Sequence, residues 1–100
     1  MQMNTTEFFK TEFGAELECT VKALDINLEE KAKISYADTT ELKKKQETIN
    51  ELFARLDVYK QGLRTFYNLD VCFTRTDEYF GLCTEDESFY LMKVEREAGK

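Results

Sequence analysis

Apolar side chains recur every seventh residue at Leu42, Ile49, Leu56 and Leu63, and three positions later at Leu52, Tyr59 and Phe66. With Phe53 and Tyr67 they make one broad apolar stripe, which predicts an amphipathic helix over residues 39–67. Asp38 followed by Glu41 gives it a capping box, each side chain accepting from the other's free amide. Gly62 is the ambiguous point. It costs ~1 kcal/mol inside a helix, and after Lys60-Gln61 it would also serve as a stop. Leu63 and Phe66 continue the stripe, so the helix is expected to run on to Tyr67 and end at Asn68. At ~1.5 Å per residue such a helix spans roughly 45 Å. A compact domain of this size is about 35 Å across. One end of the helix, around Tyr59–Tyr67, is therefore expected to reach past the rest of the chain.

Upstream the pattern changes. Asn4-Thr5-Thr6-Glu7 is a second capping box, Phe8, Phe9 and Phe13 follow at helical spacing, and Gly14 stands where a helix would stop. This predicts a short helix of about residues 5–13. Ala15, Leu17, Cys19, Val21 and Ala23 then alternate with Glu16, Glu18, Thr20 and Lys22, as in a half-buried strand. Asp25–Leu28 reads as a turn, and Ala32, Ile34 and Tyr36 alternate as a second strand. The two would form a hairpin with Glu16 and Glu18 near Lys31 and Lys33. A helical stripe through Phe9, Phe13, Leu17, Val21 and Leu24 is the competing reading.

Downstream of Asn68 come three short alternating runs. Leu69, Val71 and Phe73 share one face of the first, and Phe80 and Leu82 share one face of the second. A two-residue turn at Asp77-Glu78 sets Phe73 opposite Leu82 and Cys72 opposite Cys83. Glu85-Asp86-Glu87-Ser88 is an acidic turn, after which residues 89–96 read as a third strand with Tyr90, Met92 and Val94 on one face. Thr84 and Glu87 also fit a capping box, which leaves a C-terminal helix ending at Gly99 as the alternative. The expected fold is α+β, in the order α-β-β-α-β-β-β. One antiparallel sheet, a hairpin plus a three-stranded meander, packs against one long and one short helix. Residues 1–100 form one domain in this reading, with 1–4 and 97–100 frayed.

Composition narrows the chemistry. The chain has no histidine, which removes the commonest general base and the commonest metal ligand. It has no glycine-rich phosphate loop, no metal-ligand spacing and no nucleophile elbow. Its three cysteines form no C-x-x-C pair and are expected to be free thiols. No enzyme activity, cofactor or metal is expected. No apolar run is long enough to cross a membrane. The start MQMNTTEFFK lacks the basic-then-apolar pattern of a secretory signal, so the cytoplasm is the expected compartment.

The net charge of −6 is unevenly spread. Residues 39–68 carry six bases against four acids, while the segments on either side each carry eight acids against four bases. A basic helix on an acidic body argues against general nucleic-acid binding, because phosphate neutralisation needs a basic footprint. Lys43–Lys45, Lys60 and Arg64 do not converge with Tyr59 and Tyr67, which lie on the apolar face.

Two expectations follow. The first is a non-enzymatic interaction module that binds a partner protein, or itself as a homodimer, through the long helix at Tyr59, Leu63, Phe66 and Tyr67. A small structural homo-oligomer is a variant of it. The second is an acidic inhibitor or decoy that occupies the site of a nucleic-acid-binding or defence protein. It would use Glu16, Glu18, Asp77, Glu78, Glu85, Asp86 and Glu87, since strand residues two apart are ~6.6 Å apart and approximate phosphate spacing. Small, acidic, proline-free chains of this kind resemble products of phages and mobile elements, including inhibitors of host defence.

Overall fold

The structure is a computed structural model that describes residues 4–96. Three helices precede three strands: α1 (Thr5–Phe8), α2 (Glu12–Ala32), α3 (Thr39–Tyr67), β1 (Cys72–Arg75), β2 (Tyr79–Cys83) and β3 (Tyr90–Glu95). The α+β class stands. The strands form one antiparallel sheet in the order β1-β2-β3. Of the frayed ends expected at 1–4 and 97–100, residues 1–3 and 97–100 lie outside the described residues, whereas Asn4 caps α1 by accepting from the Glu7 amide.

α3 is the long helix the apolar repeat predicts. Asp38 accepts from Glu41 N–H at its start, and Asn68 ends it in the left-handed conformation at φ 52°. Gly62 does not interrupt it. A Cβ there would sit 3.0 Å from the tip of the Phe13 ring, so the glycine admits an aromatic side chain against the helix.

The N-terminal hairpin is replaced by α2, a single helix of 21 residues. The short helix expected at residues 5–13 ends at Phe8, and Thr11 reorganises the chain behind it. Its hydroxyl donates to Phe8 O and accepts from Gly14 N–H, closing α1 and capping α2. Gly14 thus sits in the first turn of α2, where an added Cβ would fall 2.0 Å from Phe8 O.

The alternation over 15–23 misleads because Ala15, Cys19 and Ala23 are small and lose little by facing outward. Leu17, Val21 and Leu24 carry the burial, and their spacing is helical. The turn expected at Asp25–Leu28 has neither glycine nor proline to break the chain, and Asn27 donates to Ala23 O within the helix. Glu18 pairs with Lys22 one turn on, rather than with a lysine across a strand.

α2 and α3 run antiparallel as a helical hairpin. Tyr59 reaches Glu16 near one end, and Lys45 reaches Asn27 and Glu30 near the other. The sheet lies on one side of this pair. Between the two layers Leu17, Val21 and Leu24 meet Ile49, Leu56 and Leu63 from α3, and Val71, Phe80, Leu82, Leu91 and Met92 from the sheet side. Each such side chain contributes about 1.5–3 kcal/mol on burial.

The β1–β2 register is the expected one, with Cys72 opposite Cys83 and Phe73 opposite Leu82. β3 is a strand, not a helix, but a bulge at Leu82/Cys83 shifts its register. Met92 and Val94 stay on the inner face, Leu91 is drawn into the core, and Tyr90 turns out to meet Tyr79. The expectation that Tyr90 shares a face with Met92 and Val94 fails at this bulge.

Two arginines fasten the sheet to α2. Arg75, at the end of β1, places Nε 2.7 Å from Asp25 and a terminal nitrogen 2.8 Å from Glu29. Arg96, just beyond β3, places Nε 3.1 Å from Asp25 and also bonds Glu29. Both strands flanking β2 are thereby tied to one turn of α2.

Candidate protein-interaction surface

The sheet covers one side of the α2–α3 pair and leaves the other open. Along that open side runs a groove of about 530 Å³ lined by Ala15, Glu16, Cys19, Thr20, Ala23, Leu52, Arg55 and Tyr59. Ala15, Cys19 and Ala23 are spaced four apart on α2, so their small side chains form one low wall. Leu52, Arg55 and Tyr59 form the other wall, from α3. Thr20 is buried and donates to Glu16 O, so it presents no free hydroxyl hydrogen to the groove.

Tyr59 and Glu16 close one end. The phenol donates to Glu16 Oε2 at 3.2 Å. Burial, and then the bond and charge of Glu16, push the Tyr59 pKa up. Beyond it the Phe13 ring stacks at 5.8 Å from Tyr59 and lies over Gly62. Phe66, seven residues on from Tyr59 and so on the same side of α3, is 77% exposed. Ile26 and Val58 are also exposed, on the outward sides of the two helices. Apolar surface therefore continues beyond the groove in both helices.

Of the residues expected to bind a partner through the long helix, Tyr59 and Phe66 remain accessible. Leu63 does not: it is 0% exposed in the core. Tyr67 is half-buried, its ring 5.4 Å from that of Phe8. The end of α3 at Tyr59–Tyr67 is thus covered by α1 and the start of α2, contrary to the length argument. The opposite end projects instead. No residue between Asp25 and Thr48 is fully buried, and Tyr36 at the tip is 94% exposed. The length argument failed because α2 is itself a long helix and the molecule is elongated, 49 by 28 by 25 Å.

The acidic residues do not form one surface. Glu16 lies in the groove, and Glu18 is paired with Lys22 at 3.1 Å. Asp77 and Glu78 sit in the β1–β2 turn, and Glu85, Asp86 and Glu87 in the β2–β3 turn, at opposite ends of β2. A five-residue strand separates those turns by roughly 16 Å. Several of these acids already serve the local fold. Asp86 accepts from the Ser88 side chain and amide and from Thr84, which together hold its carboxyl below the usual carboxylate range. Glu87 accepts from Tyr90 OH at 2.7 Å. Tyr90 and Tyr79 share Lys93, whose Nζ lies 4.9 and 4.5 Å from their ring centres.

Among the described residues, no group of three or more His, Cys, Asp or Glu side chains is placed to hold a metal ion, and no helix is long and apolar enough to cross a membrane. The groove residues that sequence reasoning missed are Ala15, Cys19, Thr20, Ala23, Leu52 and Arg55. For Ala15, Cys19 and Ala23 the signal was the four-residue spacing of small side chains, which the strand reading assigned to a sheet face. The chain matches no protein-family model, and neither a curated protein nor a solved structure resembles it significantly.

Proposed function

We propose that this chain is a non-enzymatic interaction module that receives an apolar helix of a partner protein in the groove between α2 and α3. The observation that supports the reading is the groove itself. It has a low wall of small side chains on α2, a taller wall of Leu52 and Tyr59 on α3, and a continuation at Phe66. Small residues let a third helix approach closely, and the partner's apolar face would find Leu52, Tyr59 and Phe66 as anchors. Glu16 and Arg55 bring one charge of each sign to the groove and would orient the incoming helix.

The groove is open on its outer side, which suits the flank of a helix better than an enclosed small molecule. Direct nucleic-acid binding remains disfavoured by the acidic charge and by the pairing of Arg75 and Arg96 within the fold. The cytoplasm is the compartment that goes with this reading. The decoy reading needs a contiguous acidic surface, and the separation of the acidic turns favours the groove instead.

Ala23→Glu tests the proposal, because Ala23 lines the groove without belonging to the core. Wild-type and variant proteins with matching circular dichroism would be used as bait in the native host. A partner retained by the wild type and lost from the variant supports the groove. The same partner retained by both refutes it. Sedimentation on the same samples shows whether the occupant is a second copy of the chain.

A further inference from the structure

Cys72 opens β1 and Cys83 closes β2, and the register sets them directly opposite each other. The ladder bonds give the type of pair. Thr76 N–H donates to Tyr79 O, so on β1 the even-numbered residues, Cys72 included, turn their peptide groups towards β2. Thr84 N–H donates to Phe89 O, towards β3, which leaves the peptide groups of Cys83 facing β1. Such a hydrogen-bonded pair has Cα atoms about 5.5 Å apart, within the range disulfides span. Phe73 and Leu82 pack on the core side, so the two cysteines lie on the outer side of the sheet. Both are free thiols; Cys72 is exposed and Cys83 buried.

We propose that Cys72 and Cys83 form a dithiol oxidation site, closed to an intramolecular disulfide by exchange with a low-molecular-weight disulfide of the glutathione class. Cys72 is the point of entry, because it is exposed. Its thiolate attacks one sulfur of the reagent, the reagent's S–S bond breaks, and one reagent thiolate leaves and takes up a proton. The Cys83 thiolate then attacks Cys72 Sγ, the mixed disulfide breaks, and the second reagent thiol departs protonated. Each cysteine sulfur gives up one electron, and the reagent disulfide takes up both.

Two features shape this chemistry. Burial first, and then the charge of Glu87, push the Cys83 thiol up and still act once Cys72 is a mixed disulfide, so the second step is slow at neutral pH. Its rate should rise about tenfold per pH unit while the thiolate is the minor form. The Cβ atoms of opposed strand residues are ~4.5–5.5 Å apart, nearer the upper figure in a hydrogen-bonded pair. A disulfide needs ~3.5–4.5 Å. Closure draws the strands together, and the resulting strain makes the bond readily reducible. The site lies on the sheet, on the far side of the molecule from the groove, and stands whether or not the groove binds a partner.

The test treats dilute full-length wild-type protein with oxidised glutathione, alkylates the remaining thiols and maps the cysteines by mass spectrometry. The expected product links Cys72 to Cys83 within one chain, forms about ten times faster at pH 8 than at pH 7, and reopens with reduced glutathione. Cys72→Ser should leave Cys83 as a thiol. Cys83→Ala should stop the reaction at the glutathione adduct of Cys72. The wild-type mapping decides the matter even if Cys83→Ala fails to fold. A persistent adduct on wild-type Cys72 with Cys83 still a thiol would overturn the proposal, as would linkage only between chains through Cys19.

Discussion

Single residues settle several junctions of this molecule, and Gly81 shows how sharply. A Cβ at Gly81 would fall 1.9 Å from the Met92 carbonyl oxygen across the β2–β3 ladder. No side-chain adjustment relieves a clash with backbone, so Gly81→Ala must displace β3 beside its bulge. We expect a loss of about 1–3 kcal/mol, read as a lower urea midpoint with an unchanged slope. Glu29 makes a pH-dependent contribution. Its carboxyl is held below the ordinary value of 4.5, chiefly by the hydrogen bond from Arg75. Burial opposes this, and the charges of Arg96, Arg75 and Lys33 add to it. The unfolded chain therefore binds the proton more readily than the folded one. The contribution is fully present above the unfolded value and is lost as the pH falls through the folded one. Urea titrations of wild type and Glu29→Gln should differ at pH 7 and converge in acid below about pH 4.5. A gap that stays constant with pH would show that the Arg75–Glu29 contact contributes nothing through charge.

Elements were legible in proportion to how far their own side chains decide their conformation. α3 could be read end to end, because its stripe repeats over eight turns and both ends carry caps. The β1–β2 register could be read because a two-residue turn aligns two pairs at once. α2 could not, since Ala15, Cys19 and Ala23 fit a strand face and a helix flank equally well until α3 is present to cover. The bulge that sends Tyr90 outward left no signal, because the alternation of residues 89–96 reads the same with or without a shift at Leu82/Cys83 on the neighbouring strand. The Asp25–Glu29–Arg75–Arg96 cluster was equally hidden, because it joins residues as far apart in sequence as Asp25 and Arg96. At this scale the hairpin tip should open most easily. Between Asp25 and Thr48 polar contacts such as Lys45 with Asn27 and Glu30 hold α2 to α3, without a fully buried side chain. Amide exchange in residues 33–45 should run well ahead of that around Leu56–Leu63 and in β2. Equal protection along α3 would contradict this.

At the scale of the whole molecule, α3 is shared between two surfaces. One side is sealed by the sheet and carries Ile49, Leu56 and Leu63 in the core. The other, with α2, forms a groove whose apolar walls nothing in the described residues covers. The apolar repeat predicts more apolar surface than the chain would cover and puts it at a projecting end, Tyr59–Tyr67, where Leu63 is in fact buried and Tyr59 and Phe66 stay accessible. The excess lies along the flank, at Leu52, Tyr59 and Phe66. The most direct test of the groove as a docking surface is site-specific photo-crosslinking in the native host. A photoreactive residue would be placed in turn at Cys19, inside the groove, and at Lys93, on the outer face of the sheet. The account predicts a discrete crosslinked species from position 19, either to one partner protein or to a second copy of the chain, and none from position 93. Crosslinking from position 93 alone would contradict it, because the partner would then be docking on the sheet.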